Sequence, residues 1–288
     1  MLASGGPAPQ HYRSPVSLHP TAIIHPDAQL GQDVTVGPHA VIEGPAKIGD
    51  RCVIQAHAVV TGHVTMGVDN VIGYGAIIGG DPQDFAFRPE VQSEVRIGDG
   101  NKIREYSTIH RGTSEGTATV MGNKCFLMVG AHLAHNVVLG DQVILANNVL
   151  VGGHVQIGDR VFVGGGAVFH QHMRVGRLAI CQGISGFSKD IPPFVIAAEV
   201  NGVAGLNIIG LRRAGLNAAE RAEIKAAFNL LYRSNLNVTQ AIAAAADQVW
   251  NEPGRTFWEF VGGARKRGLV DFIKTRRGAS ASSDDSAD

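Results

Sequence analysis

Aromatic residues are scarce, 6% of 288, with two tryptophans and four tyrosines. That argues against a globule built around aromatic side chains, while 37 glycines point to many turns and small-residue packing. Charge is sparse as well: 25 Lys and Arg balance 25 Asp and Glu, so net charge gives no reason to expect nucleic acid or an anionic membrane as the main partner. Cysteine occurs three times, at Cys52, Cys125 and Cys181, an odd number without zinc-type spacing. This disfavours a disulfide framework and suits reduced thiols in a cytoplasmic protein. No stretch reaches the eighteen apolar residues of a membrane span, and MLASGGPAPQHYRSPV at the start lacks the apolar centre of a signal peptide. With 44% hydrophobic residues the chain is nevertheless able to bury a core.

What the chain does contain is a period. Steps of six from Leu18 meet Ile24, Leu30, Val36, Ile42, Ile48, Ile54, Val60, Met66, Ile72 and Ile78, and a small or β-branched residue such as Ala22, Ala28, Ala40 or Cys52 recurs two places before each. A second run passes from Ile97 through Ile103 and Ile109 to Phe187, and only Glu115 breaks the apolar rule. This hexapeptide repeat predicts a parallel β-helix in which each six residues form one flat face and three faces make a coil. From Ile78 to Ile97 is nineteen residues, one more than three hexads, so a loop is expected over 79–96. A second excursion is expected around Glu115, in GTSEGTA.

Residues eighteen apart then stack on adjacent coils about 4.8 Å apart. On that register His135, His154 and His170 are expected on one face of three consecutive coils, with His132 at the corner leading into it. His25, His39, His57 and His63 are read as outward turn positions with no further role. Two chemistries fit the cluster: zinc ligation, as in β-helical carbonic anhydrases, and proton transfer by an imidazole whose pKa lies near 6.5. The absence of a carboxylate or cysteine close in register favours proton transfer.

Past Phe187 the period stops, and Pro192-Pro193 is expected to end the coil. A glycine-rich connector leads to LNAAERAEIKAAFNLLYRS, whose apolar spacing predicts a helix started by a capping box at Asn217 and Glu220. Two more helices are expected around TQAIAAAADQVW and GRTFWEFVGGARK. The expected organisation is a disordered extension over 1–17, a coil over 18–195, a helical domain over 206–277 and a disordered tail over 278–288. From Leu206 to Arg277, twelve Lys and Arg face six Asp and Glu, a net +6 suited to an acidic partner.

The strings IREYSTIHRGT, GAHLAHN, ILANNVLVGGHV, FHQ, KDIPPFVIA and GLNIIGLRRAG occur in this order on the repeat. Together they resemble the UDP-N-acetylglucosamine acyltransferase family over about residues 18 to 270. The resemblance implies a left-handed β-helix with a small helical carboxyl-terminal domain, assembled as a homotrimer with active sites between neighbouring coils. It implies transfer of an (R)-3-hydroxyacyl group from acyl carrier protein to the 3-hydroxyl of a UDP-sugar in lipid A biosynthesis, with no cofactor and no metal. By position, His135 matches the general base, the Gly153 amide the oxyanion donor, and Asn136 the neighbour of the base. His132, His154, His170 and Gln171 match residues around the substrate, and Gln83 with Asp84 the sugar-contacting pair. Asn207 and Arg213 match positions near the nucleotide, and Gly183 the position that limits acyl length. The chain departs from the family at Asn136, where aspartate is usual, at Ala86 in place of lysine, and at Ile209 and Ala214 in place of glutamate and arginine. The amide at Asn136 leaves acylation of a 3-amino sugar as one alternative; a zinc-dependent hydratase on the same fold is the other.

Overall fold

The computed structural model describes residues 18–264 and 267–273; the extension over 1–17 and the tail over 278–288 lie outside the described residues. Three sheets form the walls of a triangular prism. Face one runs from the strand Ile23–Ile24 to Gly186–Phe187, face two from Gln29–Leu30 to Arg174–Val175, and face three from Thr35–Val36 to Val195–Ala198. Pairing is parallel and eighteen residues apart in the regular coils, as in Ile24 with Ile42 and Leu133 with Val151. Most strands are two residues long: the outer residue meets solvent or a neighbour, and the second points inward. The inward column is closed by the small residues that recur two places earlier, and Ala40, Cys52, Ala58, Leu133 and Val151 are all fully buried. Truncating a residue such as Leu133 to alanine would cost about 2–5 kcal/mol, because stacked backbones leave little freedom to collapse on the cavity.

Most corners turn the chain within two residues, one of which adopts the left-handed conformation. His39 and His57 do so between faces three and one; Asn136, His154 and His172 do so between faces one and two. For an L-residue this costs roughly 1–2 kcal/mol, least for asparagine, so side-chain ladders along a corner offset a real local penalty.

Both interruptions leave the prism at the corner between faces one and two. The first is narrower than expected, residues 81–93, since Ile77–Gly80 and Glu94–Ile97 are strands. The second occupies residues 111–117, between Thr108–His110 and Ala118–Met121. Glu115 therefore never enters the core, where an unpaired carboxylate would be expensive; it accepts a hydrogen bond from the Gln92 N–H at 3.0 Å and joins the two loops.

Two expectations about the coil's end are corrected. Pro192 and Pro193 sit at a corner, where their missing N–H groups cost no ladder bond, and the coil continues into Val195–Ala198, paired in parallel with Ile180–Cys181. The glycine-rich connector is a strand, Gly202–Leu206, antiparallel to Val195–Ala198. Among the described residues four helices follow: α1 (Ile208–Arg213), α2 (Ala218–Tyr232), α3 (Val238–Ala246) and α4 (Glu252–Gly262). Capping boxes open α2 at Asn217 with Glu220 and α3 at Asn237 with Gln240. The helices bury Leu211, Ile224, Phe228, Leu231, Phe257 and Val261. The partly buried Arg174 pairs with the buried Asp190 at 2.8 Å and lies 4.3 Å over the Phe260 ring, which fastens α4 to the last coils.

Candidate active site

Within the corner column His135 and Asn136 occupy one coil, Gly153 and His154 the next, and Gln171 and His172 the third. The His135 and His154 rings meet edge to face at 5.1 Å, and His154 stacks on His172 at 4.5 Å with 11° between planes. The sequence register therefore needs two corrections. His172, eighteen residues after His154, continues the ladder, whereas His170 is exposed one step before the corner and donates through Nδ1 to the Gln171 carbonyl at 3.2 Å. His132 is not at a corner: it is the outer residue of the strand His132–Leu133 on face one, with Nδ1 2.7 Å from the Thr108 hydroxyl.

The electronic state of His135 follows from its neighbour. Asn136 Oδ1 accepts from the Thr113 N–H at 3.2 Å and from the Thr113 hydroxyl at 3.0 Å, and it lies 3.0 Å from His135 Nδ1. A backbone N–H can only donate, so the atom facing it must be the amide oxygen. His135 Nδ1 must then be the protonated nitrogen, and Nε2 carries the free lone pair. The Asn136 N–H in turn donates to the buried Thr119 hydroxyl at 2.8 Å, which fixes the backbone beside His135. The amide thus retains the orienting function of a carboxylate without its charge.

Gly153 is required here by space. A Cβ on it would lie 2.4 Å from His135 Cε1 and 2.6 Å from Nε2, so the imidazole rests directly on the glycine. His110, which the sequence reading passed over, meets His132 edge to face at 4.8 Å. Burial, reinforced by His132 and His135, lowers its pKa to about 4, and burial lowers that of His132 too. Both are neutral at pH 7. His63 is also lowered, chiefly by burial and then by the Arg111 charge.

Gln83 and Asp84 are exposed on the first loop, which leaves the same corner; Asp84 Oδ1 accepts from the Ala86 N–H at 2.9 Å in a tight turn. Asn207 and Arg213 lie elsewhere, in a groove of about 730 Å³ between face three and α1, beside Lys124, Arg160, Phe126 and Phe162. Asn207 caps α1 through Gly210 N–H and donates to the Leu178 carbonyl at 2.9 Å. Gly183 is at the corner between faces three and one, where a Cβ would lie 2.9 Å from the Gly165 carbonyl oxygen. One chain therefore gathers His135, His154, His172, Asn136, Gly153 and the first loop at one corner, keeps His132 on the adjoining face, and presents Asn207, Arg213 and Gly183 on other sides. Sequence reasoning also missed Arg111 and Thr113; the break in period at Glu115 was the signal for them.

The hexapeptide coil places the chain among hexapeptide-repeat proteins, and residues 118–153 match the repeat family described as "Bacterial transferase hexapeptide (six repeats)". Residues 190–278 match "Udp N-acetylglucosamine O-acyltransferase; Domain 2". The acyl-(acyl-carrier-protein)–UDP-N-acetylglucosamine O-acyltransferase of Paraburkholderia phymatum is 44% identical over 260 residues, covering 88% of this chain and 98% of that protein. The enzyme of the same name from Gloeothece citriformis is 45% identical over 174 residues, 60% of this chain, and the chain spans 63% of that relative's length. The crystal structure of the Moraxella catarrhalis UDP-N-acetylglucosamine O-acyltransferase superposes with a TM-score of 0.83 at 37% identity, covering 88% of this chain and 98% of that one. The chain belongs to the UDP-N-acetylglucosamine O-acyltransferase family and has its left-handed β-helix and helical carboxyl-terminal part.

Proposed function

We propose that the protein transfers an (R)-3-hydroxyacyl group from the thioester of acyl carrier protein to the 3-hydroxyl of UDP-N-acetylglucosamine, the opening step of lipid A biosynthesis, with His135 as general base. The observation that carries this reading is the anchored Asn136 oxygen, which leaves His135 Nε2 as acceptor. Nε2 takes the hydroxyl proton as the oxygen attacks the thioester carbon; the C–O bond forms, the C–S bond breaks, and the proton passes to the departing sulfur. The Gly153 N–H, beside the imidazole, donates to the oxyanion formed on the way. His132, His154, His170 and Gln171 line the substrate around the base, and Gln83 and Asp84 hold the sugar.

Asn207, Arg213 and Gly183 take the nucleotide and the acyl chain from a second copy in a homotrimer, since one prism turns face three away from the histidine corner. Arg213 is the guanidinium suited to a diphosphate. The basic helical domain receives the acidic carrier protein. The reaction so read runs in the cytoplasm and uses no metal or other cofactor.

A second reading rests on Asn136 alone: a neutral amide orients the base without strengthening it, which would suffice for a 3-amino acceptor whose nitrogen already carries a lone pair. Purified protein given long-chain 3-hydroxyacyl carrier protein and both acceptors distinguishes the two. Ester product is expected, with His135→Ala reducing turnover about 10²- to 10⁴-fold. Product only with the amine would transfer the assignment to nitrogen, and undiminished turnover in His135→Ala would overturn the base.

A further inference from the structure

The four residues His110 to Thr113 form a bracket at the histidine corner. The His110 ring meets His132, Thr113 holds the Asn136 oxygen, and the Gly112 carbonyl accepts from the Ser93 hydroxyl at 2.6 Å. Between them stands Arg111, 1% exposed and one of the largest fully buried side chains in the protein. Its guanidinium donates from Nε to Asp81 Oδ1 at 2.9 Å, from Nη2 to the Pro89 carbonyl at 2.7 Å, and from Nη1 to the Val91 carbonyl, and it lies 4.8 Å from the Phe87 ring centroid. Asp81, Phe87, Pro89 and Val91 all belong to the first loop, at its entry, middle and exit. A buried cation is costly to keep, and here its partners are almost entirely this one loop. The loop has no ladder of its own between Gly80 and Glu94.

We propose that Arg111 is the positioning residue of sugar recognition: it clamps the loop 81–93 so that Gln83 and Asp84 stand at a fixed distance from His135, and the loop and the base are set by one four-residue segment. The inference rests on the proposed reading, in which Gln83 and Asp84 contact the sugar. The fork geometry is essential, because three acceptors are reached from one planar group; a lysine keeps the charge but meets one of them at a time. Loss of the clamp should therefore weaken binding of the sugar nucleotide while the base and the thioester site stay as they are.

The test compares wild type, Arg111→Lys and Asp81→Asn; the last changes only the half-exposed loop partner and leaves the core of the prism intact. Arg111→Lys is expected to raise KM for UDP-N-acetylglucosamine about tenfold or more, with kcat and KM for the acyl thioester within roughly threefold, and Asp81→Asn to move the same constant less. Hydrogen exchange of the free protein is expected to show faster exchange across 81–93 in both variants and unchanged exchange in the coils from 126 to 187. Equal losses in kcat and both KM values, or an unchanged KM for the sugar nucleotide, would overturn the proposal. If wild type transfers no acyl group the broader reading fails, and unchanged loop exchange in both variants would then overturn the clamp.

Discussion

Two corners of the same prism carry stacked histidines, and only one has the makings of chemistry. Between faces three and one, His39 and His57 stack at 5.2 Å, both in the left-handed conformation. Between faces one and two, His154 and His172 stack at 4.5 Å in that same conformation. A ladder of imidazoles is thus a product of the repeat: outward corner positions recur every eighteen residues, and flat rings fill the space between coils. What separates the two corners is interruption. The first–second corner releases both loops, and the second loop brings Thr113 to the Asn136 oxygen and Arg111 to the first loop. A regular coil can also set a backbone donor against an amide oxygen, as the Cys125 N–H does on Asn101, but at the histidine corner it is the insertion that supplies the donor fixing Asn136 and so chooses which nitrogen of His135 is bare.

Five substitutions probe this contrast. The largest effect is expected from Gly153→Ala, whose methyl group must displace the His135 ring. Turnover should fall at least about 10²-fold while the thermal midpoint stays near that of wild type, since the ring, not the coil, gives way. Next, Asn136→Ala removes the acceptor of three donors and should cost about 10- to 10²-fold in kcat. Asn136→Asp keeps the orientation and adds a charge that favours protonated His135, so the acidic limb of its pH–rate profile should move to higher pH; an unmoved limb would contradict contact between the two.

A smaller effect concerns stability. Burial, with His132 and His135 adding to it, holds His110 near pKa 4, below the ordinary value near 6.5, so between these values the unfolded chain binds more protons than the folded one. Stability from this group is complete above about pH 6.5 and is lost as pH falls toward 4. His110→Phe should flatten that part of the curve in urea titrations at a series of pH values, and a curve parallel to wild type would reject the assignment. The smallest effect is expected at the regular corner: His57→Ala should leave turnover within about twofold, because no hydrogen bond among the described residues selects a tautomer at His39 or His57.

The repeat made the prism legible, since an inward aliphatic every six residues has no other use in a chain so poor in aromatics. Its two failures, the nineteen residues after Ile78 and Glu115, marked the loops, and the histidines marked the corner. Outward positions were harder to read, because either side of a two-residue turn satisfies the same pattern; hence His170 stood in for His172, and His132 was assigned to a corner instead of a strand. Pro192-Pro193 read as a stop because a missing N–H looks the same in sequence whether or not a partner was waiting for it. The short helix α1 has too few turns to show a period. The bond from Thr113 to Asn136 spans 23 residues and depends on how the second loop folds back, which local spacing does not encode.

The anchored amide oxygen of Asn136 gives His135 a protonated Nδ1 and a bare Nε2. Nitrogen-15 NMR of ring-labelled protein at pH 8, with His135 assigned by its loss in His135→Ala, reads this directly. The Nδ1–H form is expected for His135; an Nε2–H form would mean that the Asn136 amide does not orient the imidazole and would contradict the anchoring.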